Sequence, residues 1–191
     1  VPWVLAAIFG LLALLTILRT GPSTSSPAPI RFSVAMPEKH HLARAESPII
    51  ALSPDGSKLA FVAEGESGAQ IQLRAMNRSD AIPIPGTEGA SAPFFSPDGQ
   101  WIGFFADGKL KKVALPGGRP TALADAPGSR GATWGLDDRI YYVPTFESGL
   151  MRIPAAGGPP EAVTSVARDQ GERTHRWPAL LPGGEIVFVA G

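Results

Sequence analysis

The residues best suited to chemistry gather in two stretches. Arg130 closes the segment 124–131, and Glu172, Arg173, His175 and Arg176 crowd the end of the segment 165–176. Glu172 and His175 are of types that ligate zinc. Such a site takes three or four ligands, and no third candidate stands near them, so no metal and no cofactor is expected. Mixed charge of this kind suits fixed donors for a small anionic ligand, a peptide end or a protein surface. The plainer role is ion pairing between neighbouring structural units. Asp55 and Asp98 resemble catalytic carboxylates in isolation, but each precedes glycine in Ser-Pro-Asp-Gly, where a short acceptor satisfies the N–H groups of a tight turn. Asp137-Asp138 occupies a related turn, and His40-His41 lies in a polar stretch without partner spacing. The chain has no cysteine for a thiolate nucleophile and no Gly-x-Ser-x-Gly elbow. No catalytic residue is expected within it.

The elements that must position these residues recur. Phe94-Phe95-Ser96-Pro97-Asp98-Gly99-Gln100-Trp101-Ile102-Gly103-Phe104-Phe105 reads as strand, tight turn, strand: Pro97 presets φ and Gly99 accepts a positive φ. Leu52 to Phe61 repeats it, with Ser53 and Ser96 separated by 43 positions. Looser copies are Trp134 to Tyr142, one residue shorter at the turn, and Leu180 to Phe188. The second half of the unit recurs as well, as Lys112 to Pro120 and Arg152 to Pro160. A period of about 43 residues fits four-stranded propeller blades. The fold class expected is therefore all-β, a partial β-propeller of about three and a half blades.

The strands expected are 49–52, 59–63, 71–75 and 81–84 in the first blade, with 64–69 as an exposed loop. They are 94–95, 101–106, 110–114 and 121–123 in the second, and 133–134, 140–143, 150–153 and 161–163 in the third. Asp107-Gly108 is a two-residue hairpin signal. Trp101, Trp134 and Trp177 are read as packing between blades. If the Pro-Asp-Gly turns join the first two strands of each blade, the loops entering the inner strands lie at the other mouth of the central channel. Arg130, Glu172, Arg173, His175 and Arg176 then share that mouth.

Lysine and arginine balance aspartate and glutamate at 17 each, so no field recruits nucleic acid. Residues 1–18 carry no charge. As a helix they would cover about 27 Å, close to the hydrocarbon thickness of a bilayer. A transmembrane helix is expected over 1–19, a Pro/Ser linker over 20–29, and a truncated propeller over 30–191. The chain opens without methionine and stops after the second strand of a blade, so we expect an excerpt of a longer protein.

With both halves of the repeat in view, residues 48–191 resemble TolB-type β-propellers. The order of anchor, linker and propeller resembles the C-terminal half of bacterial receptor-like serine/threonine protein kinases. Arg31-Phe32-Ser33, Pro85 to Ala90, Phe105 to Lys112 and Gly171 to Pro178 add to that likeness. The resemblance implies a cytoplasmic kinase domain before the anchor and an extracytoplasmic sensor after it. No kinase signature falls within these 191 residues. Two alternatives stay open: the propeller of a membrane-anchored prolyl-oligopeptidase-type serine peptidase, and a secreted TolB-like scaffold.

Overall fold

The structure, a computed structural model, describes residues 48–66 and 68–191, together with 39–43 and the single positions 3 and 33. The chain divides into two units, Val1–Ser33 and Val34–Gly191, and the fold described is that of the second. Apart from those single positions, the anchor expected over 1–19 and the linker over 20–29 lie outside the described residues, as do residues 30–32 and 34–38 of the expected propeller. Among the described residues no helix is long and apolar enough to cross a membrane.

Among the described residues four antiparallel sheets follow one another in chain order. The first holds β1 (His41–Leu42), β2 (Ile50–Leu52), β3 (Lys58–Gly65), β4 (Gly68–Ala75) and β5 (Ile82–Pro83). The second is β6 (Ser91–Phe95), β7 (Trp101–Ala106), β8 (Lys109–Ala114) and β9 (Thr121–Asp125). The third is β10 (Ala132–Trp134), β11 (Arg139–Tyr142), β12 (Met151–Pro154) and β13 (Glu161–Ala162). The fourth is the pair β14 (His175–Leu180) and β15 (Ile186–Ala190). The first strands β2, β6, β10 and β14 are neighbours in turn, as the inner strands of successive propeller blades must be.

Two segments differ from expectation. Residues 64–69, expected as an exposed loop, are mostly strand: Glu64 pairs with Ala69 and Gly65 with Gly68. The charges of Glu64 and Glu66 disguise a hairpin whose ends are glycines. The polar stretch after Pro37 contributes β1, which pairs with β3 through His41↔Glu64 and Leu42↔Ala63.

A blade is sandwiched between two others, so its strands bury both faces and read as continuous apolar runs. In β7, Ile102, Phe104 and Ala106 join Ala60, Val62, Ile71 and Leu73 of the first blade. Phe105 joins Phe94, Trp134, Ile140 and Tyr142, in a cluster shared with the third blade. Each large side chain so buried contributes about 2 kcal/mol. An open arc leaves apolar surface at both ends. Val187, Phe188 and Val189 of β15 are 46%, 37% and 45% exposed. At the other end Ile50 and Leu52 are 50% and 54% exposed, although Met76 and Ala81 pack over Leu59, Phe61 and Ala63 beside them.

The Ser-Pro-Asp-Gly turns are alike in atomic detail. Ser96 Oγ donates to Asp98 Oδ1 at 2.5 Å and accepts the Trp101 N–H at 2.9 Å, while Gln100 N–H donates to the same carboxylate at 3.0 Å. Ser53, Asp55, Ser57 and Lys58 repeat the set. The serine hydroxyls hold both carboxyls below the usual carboxylate range. Gly56 and Gly99 take φ of 70° and 65°. The third blade closes one residue sooner, Gly135 N–H donating to the Arg139 carbonyl, with Asp138 at φ 56° in the place of the glycine.

Candidate binding site

Inner strands start at the mouth opposite the turns, and three of them begin with the same irregularity. Ala92, Gly131 and Trp177, each four residues before the turn position held by Ser96, Gly135 or Leu181, have φ of 45°, 95° and 53°. In β6 and β14 this residue precedes a proline, Pro93 or Pro178, and the ladder shifts register there. Proline has no N–H to give the ladder, so a bulge at this point costs little pairing. The bulges face one another around the arc. Trp177 N–H donates to the Arg130 carbonyl at 2.7 Å, and Gly131 packs against Trp177.

Pro48, Ala92, Pro93, Gly131, Ala132, Trp177, Pro178 and Ala179 enclose about 200 Å³ at this mouth. All four blades contribute. Its wall is small, apolar and rigid, with one large aromatic. Trp177, read from sequence as packing between blades, is 40% exposed over this space, because positive φ turns it out of the ladder. Trp134 does pack between blades, edge-on to Phe94 at 6.4 Å.

The five residues singled out from sequence share this face without sharing one pocket. Arg130 and Arg176 immediately precede the bulges in sequence, but their side chains do not line the space. The Arg130 guanidinium lies 4.5 Å over the Phe146 ring and that of Arg176 5.4 Å from the Trp177 ring, geometry that keeps a cation oriented. Arg173 is exposed, its N–H donating to the Gly191 carbonyl. Glu172 and His175 turn inward. His175 is buried, Nδ1 2.6 Å from Thr164 Oγ1 and Nε2 3.2 Å from Glu172 Oε2, with its ring 4.5 Å from that of Phe188. Glu172 Oε2 also accepts the Ala167 N–H at 2.8 Å. This pair latches the long loop onto β14. Among the described residues no group of three metal-ligating side chains forms.

The latch carries a pH signature. The Ala167 N–H, and then His175, hold the Glu172 carboxyl below its ordinary value. A carboxylate depressed in the folded state stabilises above its unfolded pKa, and that contribution is lost as pH falls through the folded one. The stability difference between wild type and Glu172→Gln should be largest near neutrality and shrink below about pH 5. Denaturant titrations across that range check it, and a difference independent of pH would remove the carboxylate from the latch.

Blades of four antiparallel strands arranged around inner strands define a β-propeller, here as an arc. The arc is the TolB-type propeller fold. The chain superposes on putative TolB from Agrobacterium tumefaciens with a TM-score of 0.65 at 21% identity, over 78% of this chain and 57% of that one. For TolB from Acinetobacter baumannii the values are 0.62, 20%, 73% and 36%. Hydrazine synthase of Kuenenia stuttgartiensis gives 0.56 at 14% identity, over 76% and 43%. The chain thus spans little more than half, or less, of these structures. No protein-family model and no curated protein matches the sequence.

Proposed function

We propose that this chain is a binding module, an extracytoplasmic propeller that seats a protein, a peptide end or a small anionic ligand at the mouth where the inner strands begin. The supporting observation is the space walled by residues of all four blades at this mouth, with Arg130 and Arg176 next in the chain to Gly131 and Trp177 in its wall. Rigid walls with oriented cations bind without a moving part. Arg130, Arg173 and Arg176 would meet the ligand, while Glu172 and His175 hold the loop that presents them. Residues 1–18 would anchor the module in the cell membrane and 20–29 hold it clear. A serine/threonine kinase domain before the anchor would make the whole a receptor.

The test is selection of peptides from a random display library on the full chain. Trp177→Ala, and the pair Arg130→Ala with Arg176→Ala, should each weaken a selected peptide roughly tenfold or more. Ser57→Ala, on the turn face, should leave affinity unaltered. Equal binding by all variants would overturn the site. Kinase motifs in the reading frame upstream would support the receptor, and a downstream Gly-x-Ser-x-Gly would point to a peptidase instead.

A further inference from the structure

The blade repeat supplies an internal control: a side chain the fold requires should recur at the same position in each blade. Between the first and second blades, side chains reach into the turn-face gap. Leu73 is buried in the shared core, and Lys58 Nζ reaches the Gly99 carbonyl at 3.4 Å. Strand register carries Lys58 and Leu73 onto Trp101 and Lys112 in the second blade. Those two face the third blade, where the turn is one residue shorter, and the gap stays open as a cleft of about 400 Å³.

Two departures from the repeat meet in this cleft, beside a basic residue. Trp101 stands where the first and third blades have Lys58 and Arg139. Lys112, basic like Arg152 at the same position of the third blade, stands 4.5 Å over the Trp101 ring. Asp138 replaces the positive-φ glycine that the other three blades keep as Gly56, Gly99 and Gly184. A non-glycine residue there carries strain, and a lysine where the first blade has a buried leucine forgoes apolar burial. Asp138 spends one oxygen on the Trp134 indole N–H at 3.2 Å, and Asp98 spends one on its own turn. Lys112 makes neither a hydrogen bond nor an ion pair among the described residues, although both carboxylates line the same cleft. The cleft thus holds one ammonium and two carboxylates kept apart, over a floor of two indoles with Leu136 and Ala155 beside it.

We infer that this cleft is a second ligand site, taking a small zwitterion with an apolar side chain: a free amino acid or a very short peptide. The ligand carboxylate meets Lys112, its ammonium meets Asp98 and Asp138, and its side chain lies against the indoles. The volume is at the small end for such sites. The site is independent of the channel mouth, at the other end of β10.

Titration calorimetry on the full chain would use L-leucine, leucyl-leucine and N-acetyl-L-leucine amide, in which both charges are blocked. Binding of either zwitterion, without the blocked compound, supports the site. Response to leucyl-leucine alone identifies a peptide, and response to leucine a free amino acid. Lys112→Leu restores the residue of the first blade and should melt at or above wild type, and Asp138→Asn removes the charge while keeping an oxygen for the Trp134 indole N–H, so it should melt close to wild type. Each should weaken the zwitterion roughly tenfold or more, the loss of one charged contact. Equal binding of the blocked compound, wild-type affinity in both variants, or no binding of either zwitterion by about 10 mM, a bound weaker than ordinary ligand affinities, would overturn the proposal.

Discussion

Replacing Gly103 with alanine should destabilise the second blade by roughly 2 to 3 kcal/mol, the upper part of the range for an overpacked core. Phe94 lies directly opposite Gly103 across β6 and β7, and a Cβ built at Gly103 comes within 2.8 Å of three carbons at the tip of the Phe94 ring. The ring cannot simply swing aside. It is 8% exposed, and its edge contact with Trp134 belongs to the core between the second and third blades. The glycine is needed for space, not for backbone freedom. Phe94→Leu should therefore rescue part of the loss in the double variant, although it destabilises wild type by itself. Denaturant unfolding of the four chains measures the coupling, and simple additivity would show that the ring and the glycine do not share that space.

The next largest effect is expected at Ser96. Its side chain is 2% exposed, and Oγ is the acceptor for the Trp101 N–H as well as a donor to Asp98. Ser96→Ala leaves that backbone donor buried without its acceptor, at a cost of about 1 to 3 kcal/mol. Ser53→Ala should do the same in the first blade. Ser57→Ala, which removes an exposed hydroxyl from the same turn, should stay within about 0.5 kcal/mol. The third blade supplies a natural comparison. It has Gly135 where the first two have serine, and Asp137 Oδ1 accepts the Arg139 N–H at 3.3 Å instead. Equal loss at Ser57 and Ser96 would mean that the turn acts through solvent-exposed contacts, contrary to its geometry.

The hairpins were legible because their determinants are local. Pro97, Asp98 and Gly99 specify a turn wherever they occur, and the spacing of 43 gives the blade. The role of Ser96 was less visible, since a hydroxyl becomes structural only when the closing strand brings the Trp101 N–H to it. Positive φ at Ala92 and Trp177 left almost no trace. Neither is glycine, and the one hint is the proline that follows each. Glu172 and His175 were found as a polar cluster, but residue type does not say whether a polar group faces solvent or holds a loop. Burial decided that, and burial depends on where Phe188 and Thr164 fall. Trp101, Lys112 and Asp138 became noticeable only when strand register aligned them with Lys58, Leu73 and the turn glycines.

The two-sided burial of the second blade sets an order of opening. A blade exchanges stabilisation only with its neighbours, so its resistance to local unfolding follows the number of covered faces. Amides of β7 and β8, between two cores, should exchange with deuterium most slowly. Those of β15, whose Val187, Phe188 and Val189 stay exposed, should exchange soonest. Under mechanical load the arc should then peel from β15 inward, the turn-face cleft opening before the Leu73 core does.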